Sequence, residues 1–373
     1  MREGKPIHVL GANPGDAEVE AAAASIRAGW MGMGPKVREF EERIAERAHA
    51  TAVMVDSGSN ALFLAVKALG LPPGSEVIVP SFTWVACAHA VVLAGHRPVF
   101  ADVDLATQNL TAELAARQRT PTTAAVMIVH YAGKPVDVDA MRALDLPIIE
   151  DAAHAVDSAL RERPCGGLGT VGIYSFDAVK NLATPDGGAV LSQDQDLLAR
   201  VRNLRYCGIG KSGFDSAASP SATRWWEYPL HEVVPRMLPN DVSAAIGLAQ
   251  LRALPANQQR RRRIWDRYQR ELGRLDWLRT PVDPAADERH SYFTYLVRVE
   301  NGRRDQLARY LLDRNIYTTL RYHPLHMASL YAGGAPLPNC ELLNEQGLNL
   351  PLHPALRDED VDRVLDALVA FPI

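Results

Sequence analysis

The chain contains 373 residues, 23% of them charged and 47% hydrophobic, and carries a formal net charge of -4 at pH 7. This composition is typical of a globular protein and argues against nucleic acid as the main partner. No apolar leader follows Met1 and no run approaches membrane-spanning length, so we expect no membrane partner. A chain of this length exceeds what one hydrophobic core supports, which predicts one large and one smaller domain.

Short apolar runs alternate with helical patterns from about residue 50 to 195. Strands are predicted at Glu76–Pro80, Arg97–Val103, Ala124–Val129, Pro147–Ile149, Val171–Phe176 and Gly188–Leu191. Helices are predicted before and between these strands, at Ala61–Leu69, Val85–Leu93 and Val138–Leu144. Because the strands are apolar throughout rather than alternating, both faces of the sheet should be buried. This pattern indicates an α/β fold with a mostly parallel sheet covered by helices.

Residues 208–240 interrupt this alternation with stretches of glycine, serine and proline, which are typical of loops, and with an aromatic cluster around Trp225 and Trp226. We expect an ordered loop that makes contacts. A helix is then predicted from the N-cap Asp241 to about Leu272, with an interruption near Pro255. We place the domain junction here, which gives a large domain over 1–250 with an N-terminal arm over 1–35. The smaller domain, 251–373, is predicted to be α+β, with a strand at Ser291–Val299 and a helix at Asp305–Asn315.

The cysteines and histidines give no metal signal. No CxxC motif or metal-like spacing to histidine occurs, and the four cysteines are Cys87, Cys165, Cys207 and Cys340. We expect reduced thiols in a cytoplasmic protein. His323 and His326 could suggest a metal pair, but Pro324 is incompatible with helical i,i+4 spacing and no carboxylate lies close by in the sequence. We therefore expect no metal.

Two segments point instead to an organic cofactor. The first runs from Ile148 to Ala155 and predicts a buried strand that ends in Asp151, where open α/β sheets bind ligands. The second, from Tyr174, carries a single lysine, Lys180, before a tight turn. A carboxylate for a pyridinium nitrogen and a lysine for a Schiff base are what pyridoxal phosphate (PLP) requires. An ordinary strand-end acid and a solvated lysine remain the alternatives.

A phosphate group needs hydrogen-bond donors, and Ser57, Gly58 and Ser59 offer them before an apolar helix. Helix capping alone would also explain the serine. Ser175, close to the lysine, could supply a further hydroxyl. Trp84 follows a strand end, where a flat ring can lie over a flat cofactor, although a core aromatic is the alternative.

Two histidines border the same edge of the predicted sheet. His130 follows the Ala124–Val129 strand, and His154 comes three residues after Asp151. For either of them a structural histidine is the ordinary interpretation. We assign substrate binding to His130, Tyr322, His323 and His326.

The ordered set of motifs resembles a known family. The motifs are SGSNAL, PSFTWVA, PVFADVD, VHYAGKPVDVDAM, IIEDAAHAV, YSFDAVKNLATPDGG, NDVSAAIGLAQL and LNLPLHPALRDEDVDRVLDAL. Together they resemble the DegT/DnrJ/StrS sugar aminotransferases, which are fold-type-I PLP enzymes of the aspartate aminotransferase superfamily. The resemblance covers nearly the whole chain. It implies a doubly wound, mostly parallel sheet in the large domain and a small C-terminal α+β domain.

The resemblance also implies residue roles. Lys180 matches the Schiff-base lysine, Asp151 the pyridinium partner, Trp84 the ring-stacking aromatic and His154 the residue beside the phenolic oxygen. Ser57, Gly58, Ser59 and Ser175 match the phosphate-binding residues. The family forms homodimers with active sites at the subunit interface, and the 208–240 segment matches the part that reaches the partner.

The chain departs from the family pattern at two places. Met237-Leu238 stands where many members have Tyr-Asn or Tyr-His, and that asparagine helps to bind the phosphate across the dimer. Asn240, two positions later, is the candidate replacement. Around the lysine loop, Asp177 and Pro185-Asp186 replace the usual residues, which predicts altered fine geometry with the chemistry retained.

The resemblance implies transamination from L-glutamate to a nucleotide-linked keto sugar. The residues of the PSFTWVA, VHYAG and EDAAHA motifs most resemble members that aminate C4, which favours C4 of a 4-keto-6-deoxyhexose. Amination at C3 and a cyclitol (keto-inositol) aminotransferase remain open. A PLP-dependent sugar 3-dehydratase would have histidine in place of Lys180. A sensor that kept the fold would lack the lysine or acid, or would add a DNA-binding motif.

Overall fold

The computed structural model describes residues 5–209, 224, 226–300 and 302–372. Within them, seven strands form the central sheet in the order β1-β9-β8-β5-β4-β2-β3. Their bounds are β1 Thr51–Val55, β2 Glu76–Pro80, β3 Arg97–Ala101, β4 Thr123–Val129, β5 Ile148–Asp151, β8 Val171–Ser175 and β9 Gly188–Ser192. Only β9 runs against its neighbours β8 and β1. The prediction of a mostly parallel sheet is therefore confirmed.

Helices cover both faces of this sheet. Those preceding or following its strands are α1 Asp16–Arg27, α2 Pro35–Ala48, α3 Gly58–Ala68, α4 Ala86–Leu93, α5 Ala112–Ala116, α6 Val138–Met141 and α7 Gln195–Leu204. One hydrophobic cluster joins the sheet to α2 and α6, and a second joins its other face to α3, α4 and α7. Burial on two faces explains why the strand sequences are apolar throughout.

The C-terminal part forms a smaller unit around an antiparallel sheet of β10 (Leu278–Arg279), β12 (Tyr295–Val299) and β13 (Gly347–Leu350). Its helices are α9 Arg304–Asp313, α10 Pro338–Gln346 and α11 Asp358–Val369. A third small sheet joins β6 (Ala159–Leu160), β7 (Arg163–Pro164) and β11 (Glu288–Arg289), and so links the two parts. No helix of the described residues is long and apolar enough to cross a membrane.

One long helix, α8 (Asp241–Leu272), connects the two parts. Two details of its prediction were wrong. The N-cap is Asn240, whose side chain accepts a hydrogen bond from the Ser243 N–H at 2.8 Å, while Asp241 turns to accept one from the Val37 N–H at 2.9 Å. The helix also continues without interruption through Pro255. Tertiary packing of both halves outweighs the lost hydrogen bond of the proline.

The two halves of α8 belong to different hydrophobic clusters. Ala244 and Leu248 pack against the central sheet, whereas Ile264 and Trp265 pack in the C-terminal cluster. The predicted junction near residue 250 therefore falls inside a continuous helix. The start of the arm also lies with the C-terminal part, because Ile7 forms an isolated parallel β-bridge with Ile316 and joins that cluster.

Candidate active site

A cavity of about 470 Å³ opens at the edge of the central sheet where the parallel strands end. Loops after β1, β2, β5 and β8 line it, together with a loop of the C-terminal unit. Parallel strands bring the residues after their carboxyl ends to one edge, where ligands of open α/β sheets bind. The sequence-predicted residues that line the cavity are Ser57, Gly58, Ser59, Trp84, Asp151, His154, Ser175, Lys180 and Tyr322.

Lys180 lies in the loop after β8, half-buried, with Nζ 4.8 Å from the ring centroid of Phe293. Burial lowers the pKa of this amine from 10.5 to about 8; the negative charge of Asp151 opposes the change and the positive charge of Arg321 adds to it. An amine with such a pKa is partly neutral at neutral pH. It can act as a nucleophile and can take up or release a proton.

Asp151 is buried at the end of β5, and both of its carboxylate oxygens are held by donors. Oδ1 accepts a hydrogen bond from the Ala153 N–H at 3.0 Å, and Oδ2 accepts one from the thiol of Cys87 at 3.1 Å. In the sheet, Asp151 pairs with Ile173 of β8, the strand that leads to Lys180. The acid and the amine therefore come from adjacent parallel strands, and the carboxylate is oriented before any ligand binds.

The N-terminus of α3 faces the same cavity. Ser57 caps this helix by accepting a hydrogen bond from the Asn60 N–H at 3.2 Å. The other N–H groups of the first turn have no acceptor within the helix, because they lie at its start. A Cβ added to Gly58 would lie 2.6 Å from both Cβ and Oγ of Ser175, so only glycine allows this close approach. Free N–H groups, the helix dipole and nearby hydroxyls together form an anion site suited to a phosphate.

His154 has a neutral ring in this setting. Burial lowers its pKa well below the ordinary value, and the charges of Lys180 and Arg321 add to that effect. The ring stacks on Phe293 with centroids 4.1 Å apart, and Nε2 lies 3.1 Å from the hydroxyl of Tyr322. Its Nδ1 is buried and has no hydrogen-bond partner among the described residues, so a polar ligand atom could bond to it.

Trp84 stands at the rim of the cavity. Its side chain is 54% exposed, and its ring centroid lies 5.5 Å from that of Tyr322. Burial raises the pKa of Tyr322 to about 12, so this hydroxyl keeps its proton. The two rings form an aromatic wall beside the lysine and the acid.

Three residues of this site are not predicted by the sequence: Cys87, Phe293 and Arg321. Phe293 and Arg321 come from the C-terminal unit and meet Lys180 only through the tertiary fold. No local pattern distinguishes Cys87 from the other three cysteines. The one local signal is the position of Arg321 directly before Tyr322, a predicted substrate residue.

The structure does not bring the three other predicted substrate residues into the cavity. His130 is fully buried, with Nε2 2.9 Å from Glu150 Oε2. His326 is buried with Nδ1 2.7 Å from the hydroxyl oxygen of Ser81. His323 is exposed and bonds to Asn344 at 3.0 Å. Each of them has a protein partner that explains its presence.

Asn240 also lies outside the cavity of its own chain, exposed at the start of α8, where its side chain serves as the cap. Residues 210–223 and Trp225, which belong to the predicted partner-contacting segment, lie outside the described residues. Across the described ranges, no group of three or more His, Cys, Asp or Glu side chains could hold a metal ion.

The donor set fits PLP: a lysine that is partly neutral, a fixed strand-end carboxylate, a helix terminus for the phosphate and an aromatic wall for the ring. On this fold, the combination defines a PLP-dependent transferase. The model of the DegT/DnrJ/EryC1/StrS aminotransferase family matches residues 13–369. The chain belongs to this family, and it is a PLP-dependent aminotransferase.

Known proteins resemble the chain over almost its full length. The dTDP-4-dehydro-2,3,6-trideoxy-D-glucose 4-aminotransferase of Saccharopolyspora spinosa is 41% identical over 362 residues, covering 94% of this chain and 93% of that protein. The crystal structure of the aminotransferase TlmJ from Streptoalloteichus hindustanus matches with a TM-score of 0.91 and 41% identity, covering 98% of this chain and 100% of that one. The putative sugar aminotransferase Spr1654 of Streptococcus pneumoniae, in its PMP form, matches with a TM-score of 0.90 and 26% identity, covering 97% and 98%.

Proposed function

We propose that this chain transfers the amino group of L-glutamate to C4 of a nucleotide-linked 4-keto-6-deoxyhexose. The observation that carries the proposal is the half-buried amine of Lys180, with its pKa lowered to about 8, in a cavity that also holds the strand-end carboxylate of Asp151. The 4-aminotransferase from Saccharopolyspora spinosa, 41% identical to this chain, supports C4 as the site of amination.

We assign a role to each residue of the site. Lys180 holds the cofactor and then moves a proton between the carbon atoms that exchange the amino group. Asp151 keeps the ring nitrogen protonated, so that the bound PLP can accept electron density from the reacting carbon. Ser57, Gly58, Ser59 and Ser175 bind the phosphate, Trp84 covers the ring, and His154 offers Nδ1 to a polar atom of the cofactor.

A homodimer is part of the proposal. Large apolar side chains are exposed in two stretches near residues 30 and 230, which suits a second copy of the chain. They are Trp30, Met31, Met33, Trp226, Tyr228, Leu230 and Val233. Asn240 is exposed too, so it could reach the site of the partner. Sedimentation equilibrium tests this point, since a monomer at the working concentration would contradict it.

Two other acceptor classes keep the same catalytic residues, namely a 3-keto sugar nucleotide and a keto-inositol. A sugar dehydratase is disfavoured because Lys180 is present, and a non-catalytic sensor because both Lys180 and Asp151 are in place. Substrate tests therefore decide among the acceptors.

The experiment follows the visible absorbance of the purified protein with PLP. L-Glutamate alone should convert bound PLP to the pyridoxamine form, and a dTDP-linked 4-keto-6-deoxyhexose should then restore the PLP spectrum. Reduction with borohydride before glutamate is added should fix PLP covalently on the wild-type chain but not on Lys180→Ala, as mass spectrometry would show. Amination of keto-inositol alone, or at C3 of the sugar, would overturn the assigned acceptor, and an unconverted cofactor would overturn the donor.

A further inference from the structure

The amine of Lys180 lies over an aromatic ring. Its Nζ is 4.8 Å from the ring centroid of Phe293, within the distance at which a cation is attracted to the negative face of a ring. No carboxylate forms an ion pair with Lys180 in the described part of the chain, whereas the ammonium of Lys134 contacts Glu288 at 2.5 Å. The ring of Phe293 is therefore the group against which this amine rests.

The ring of Phe293 is held in place from several sides. The residue is fully buried, its N–H donates to the carbonyl oxygen of Ala132 at 2.9 Å, and its own carbonyl oxygen accepts a hydrogen bond from Arg261 at 3.3 Å. The imidazole of His154 stacks on the ring with centroids 4.1 Å apart. Backbone and ring are both fixed, as in a preorganised site.

A bridge of two amides joins the segment of the lysine to the segment of the ring. Asn181, directly after Lys180, donates through Nδ2 to Gln258 Oε1 at 2.9 Å and to the carbonyl oxygen of Ser291 at 2.5 Å. Gln258 donates to the same carbonyl oxygen at 2.9 Å, and all three residues are buried. Ser291 lies two residues before Phe293, so this bridge sets the distance between the amine and the ring.

The reaction gives such a ring a use. While the amino group of the donor occupies the cofactor, the lysine amine is free, and it takes a proton from one carbon atom and gives it to another. Between these two proton transfers the amine is an ammonium. A carboxylate in direct contact would strongly favour the protonated form, whereas the face of a phenyl ring attracts the ammonium only modestly.

We propose that Phe293 is a positioning residue whose ring face holds the ammonium of Lys180 between the two proton transfers. The proposal rests on the proposed function above, in which Lys180 moves the proton, and adds the group that keeps the amine in place. The ring itself gives and takes no proton.

A role in packing alone predicts the opposite effect on Lys180. If Phe293 only filled space, its truncation would let water reach the amine and would raise the pKa of Lys180, because burial is what lowers it. If the ring holds the ammonium, its removal destabilises the charged form and lowers that pKa. The two roles are therefore separated by the sign of the change.

The other groups around the amine stay the same in this comparison. The charged and titratable side chains that act on Lys180 or face it are Asp151 of β5, Cys87 of α4, Asp177 of its own loop, Arg321 and Tyr322 of the C-terminal unit, and the neutral ring of His154. None of them is altered by a substitution at Phe293.

The test measures the protonation of Lys180 in the apo protein. Trace acetylation over a series of pH values, quantified by mass spectrometry of the peptide that contains Lys180, should give a midpoint near pH 8 for the wild type. Phe293→Leu and Phe293→Met remove the ring but keep an apolar side chain, and each midpoint should fall by about 0.5 to 1 pH unit. Phe371→Leu is the matched control, since Phe371 is also buried and has Arg303 Cζ 5.0 Å from its ring centroid. It should leave the Lys180 midpoint unchanged.

Fluorination tests the ring with little change in its shape. Phenylalanine with an increasing number of ring fluorine atoms, incorporated at position 293, has a progressively weaker negative face, so the midpoint should fall progressively. This series carries the test if the Phe293→Leu and Phe293→Met variants do not fold.

The loaded protein provides a second measurement. Single-turnover conversion of bound PLP by L-glutamate should slow about 3- to 10-fold in Phe293→Leu, which corresponds to the same change in the stability of the ammonium. Glutamate with deuterium on its α-carbon should show a larger isotope effect than in the wild type, because proton transfer limits the rate more strongly.

A raised or unchanged midpoint in the Phe293 variants would overturn the proposal, as would a fluorinated series without a trend. Failure of the proposed function would look different. In that case PLP would not protect Lys180 of the wild type from acetylation, or glutamate would not convert the bound PLP, while the midpoints of the apo protein would still report on Phe293.

Discussion

The thiol of Cys87 donates a hydrogen bond to Oδ2 of Asp151 across 3.1 Å. Cys87 lies in the first turn of α4 and is fully buried, and its sulfur is also 3.3 Å from the hydroxyl oxygen of Thr83. Burial raises the pKa of this thiol well above its usual value, and the charge of Asp151 adds to the effect, so the sulfur keeps its proton and remains a donor. The helix after β2 thereby orients the carboxylate at the end of β5.

Replacing Cys87 by alanine should weaken PLP binding several-fold, since one of the two donors that hold Asp151 is lost and thiols are weak donors. Cys87→Ser keeps a donor in nearly the same place and should stay closer to the wild type. Spectroscopic titration of the apo protein with PLP gives both dissociation constants. Equal weakening in the two variants would show that the sulfur acts by packing and not by its hydrogen bond.

The pH dependence of cofactor capture should report the charges around Lys180. Only the neutral amine attacks PLP, so the capture rate of the apo protein should rise with pH through the Lys180 pKa, about 8. Asp151 raises this pKa and Arg321 lowers it. Asp151→Asn should therefore move the midpoint to lower pH and Arg321→Gln to higher pH, as measured by stopped-flow absorbance. Displacement of both midpoints in the same direction would contradict this electrostatic account.

The close approach of α3 to β8 should not tolerate a side chain at Gly58. Its Cβ would lie 2.6 Å from Ser175 Oγ and 3.2 Å from Ser175 Cα, and overpacking of this kind costs about 1–3 kcal/mol. Gly58→Ala should therefore lower the free energy of unfolding in urea and reduce the affinity for PLP. Gly334→Ala is the control, because nothing lies within 4 Å of its added Cβ. Equal stability of the two variants would refute the steric argument.

His130 should prove to be a structural residue. Its Nδ1 accepts a hydrogen bond from the Val136 N–H at 3.0 Å, so Nε2 carries the proton and donates to Glu150 at 2.9 Å. Leaving a buried donor or acceptor without such a hydrogen-bond partner costs about 1–3 kcal/mol. His130→Ala should lose stability in urea unfolding without a change in the KM for the sugar, whereas the exposed His323→Ala should change stability by less than about 0.5 kcal/mol. A higher KM with unchanged stability would restore the substrate role predicted from the sequence.

Several features of the chain could be predicted from short stretches of its sequence. Continuous apolar strands such as Glu76–Pro80 indicated burial on both faces, because period and composition within a strand reflect what covers it. The acid at the end of β5 and the lysine after β8 could also be predicted from the sequence, since each lies in a short motif next to a strand whose residues are apolar. Helix ends were less certain: Asn240 and Asp241 are both good caps, and only the contact of Asp241 with Val37 decides between them.

Other features depended on contacts between distant parts of the chain. Pro255 predicted an interruption that packing at both ends of α8 overrides. His130, His154 and Tyr322 look alike as candidates, but burial against Glu150 removes the first from the cavity while the other two meet beside Lys180.

The sequence by itself determined the fold class, and it predicted the cofactor and most of the residues that line the candidate cavity, because local motifs at strand ends carry that chemistry. Only the tertiary structure decided which side chains surround the amine. Phe293, Arg321 and Cys87 reach Lys180 and Asp151 through packing of separate elements. Burial at that meeting point lowers the pKa of Lys180, while the charges of Asp151 and Arg321 act on it in opposite directions, and none of these effects can be assigned before the chain has folded.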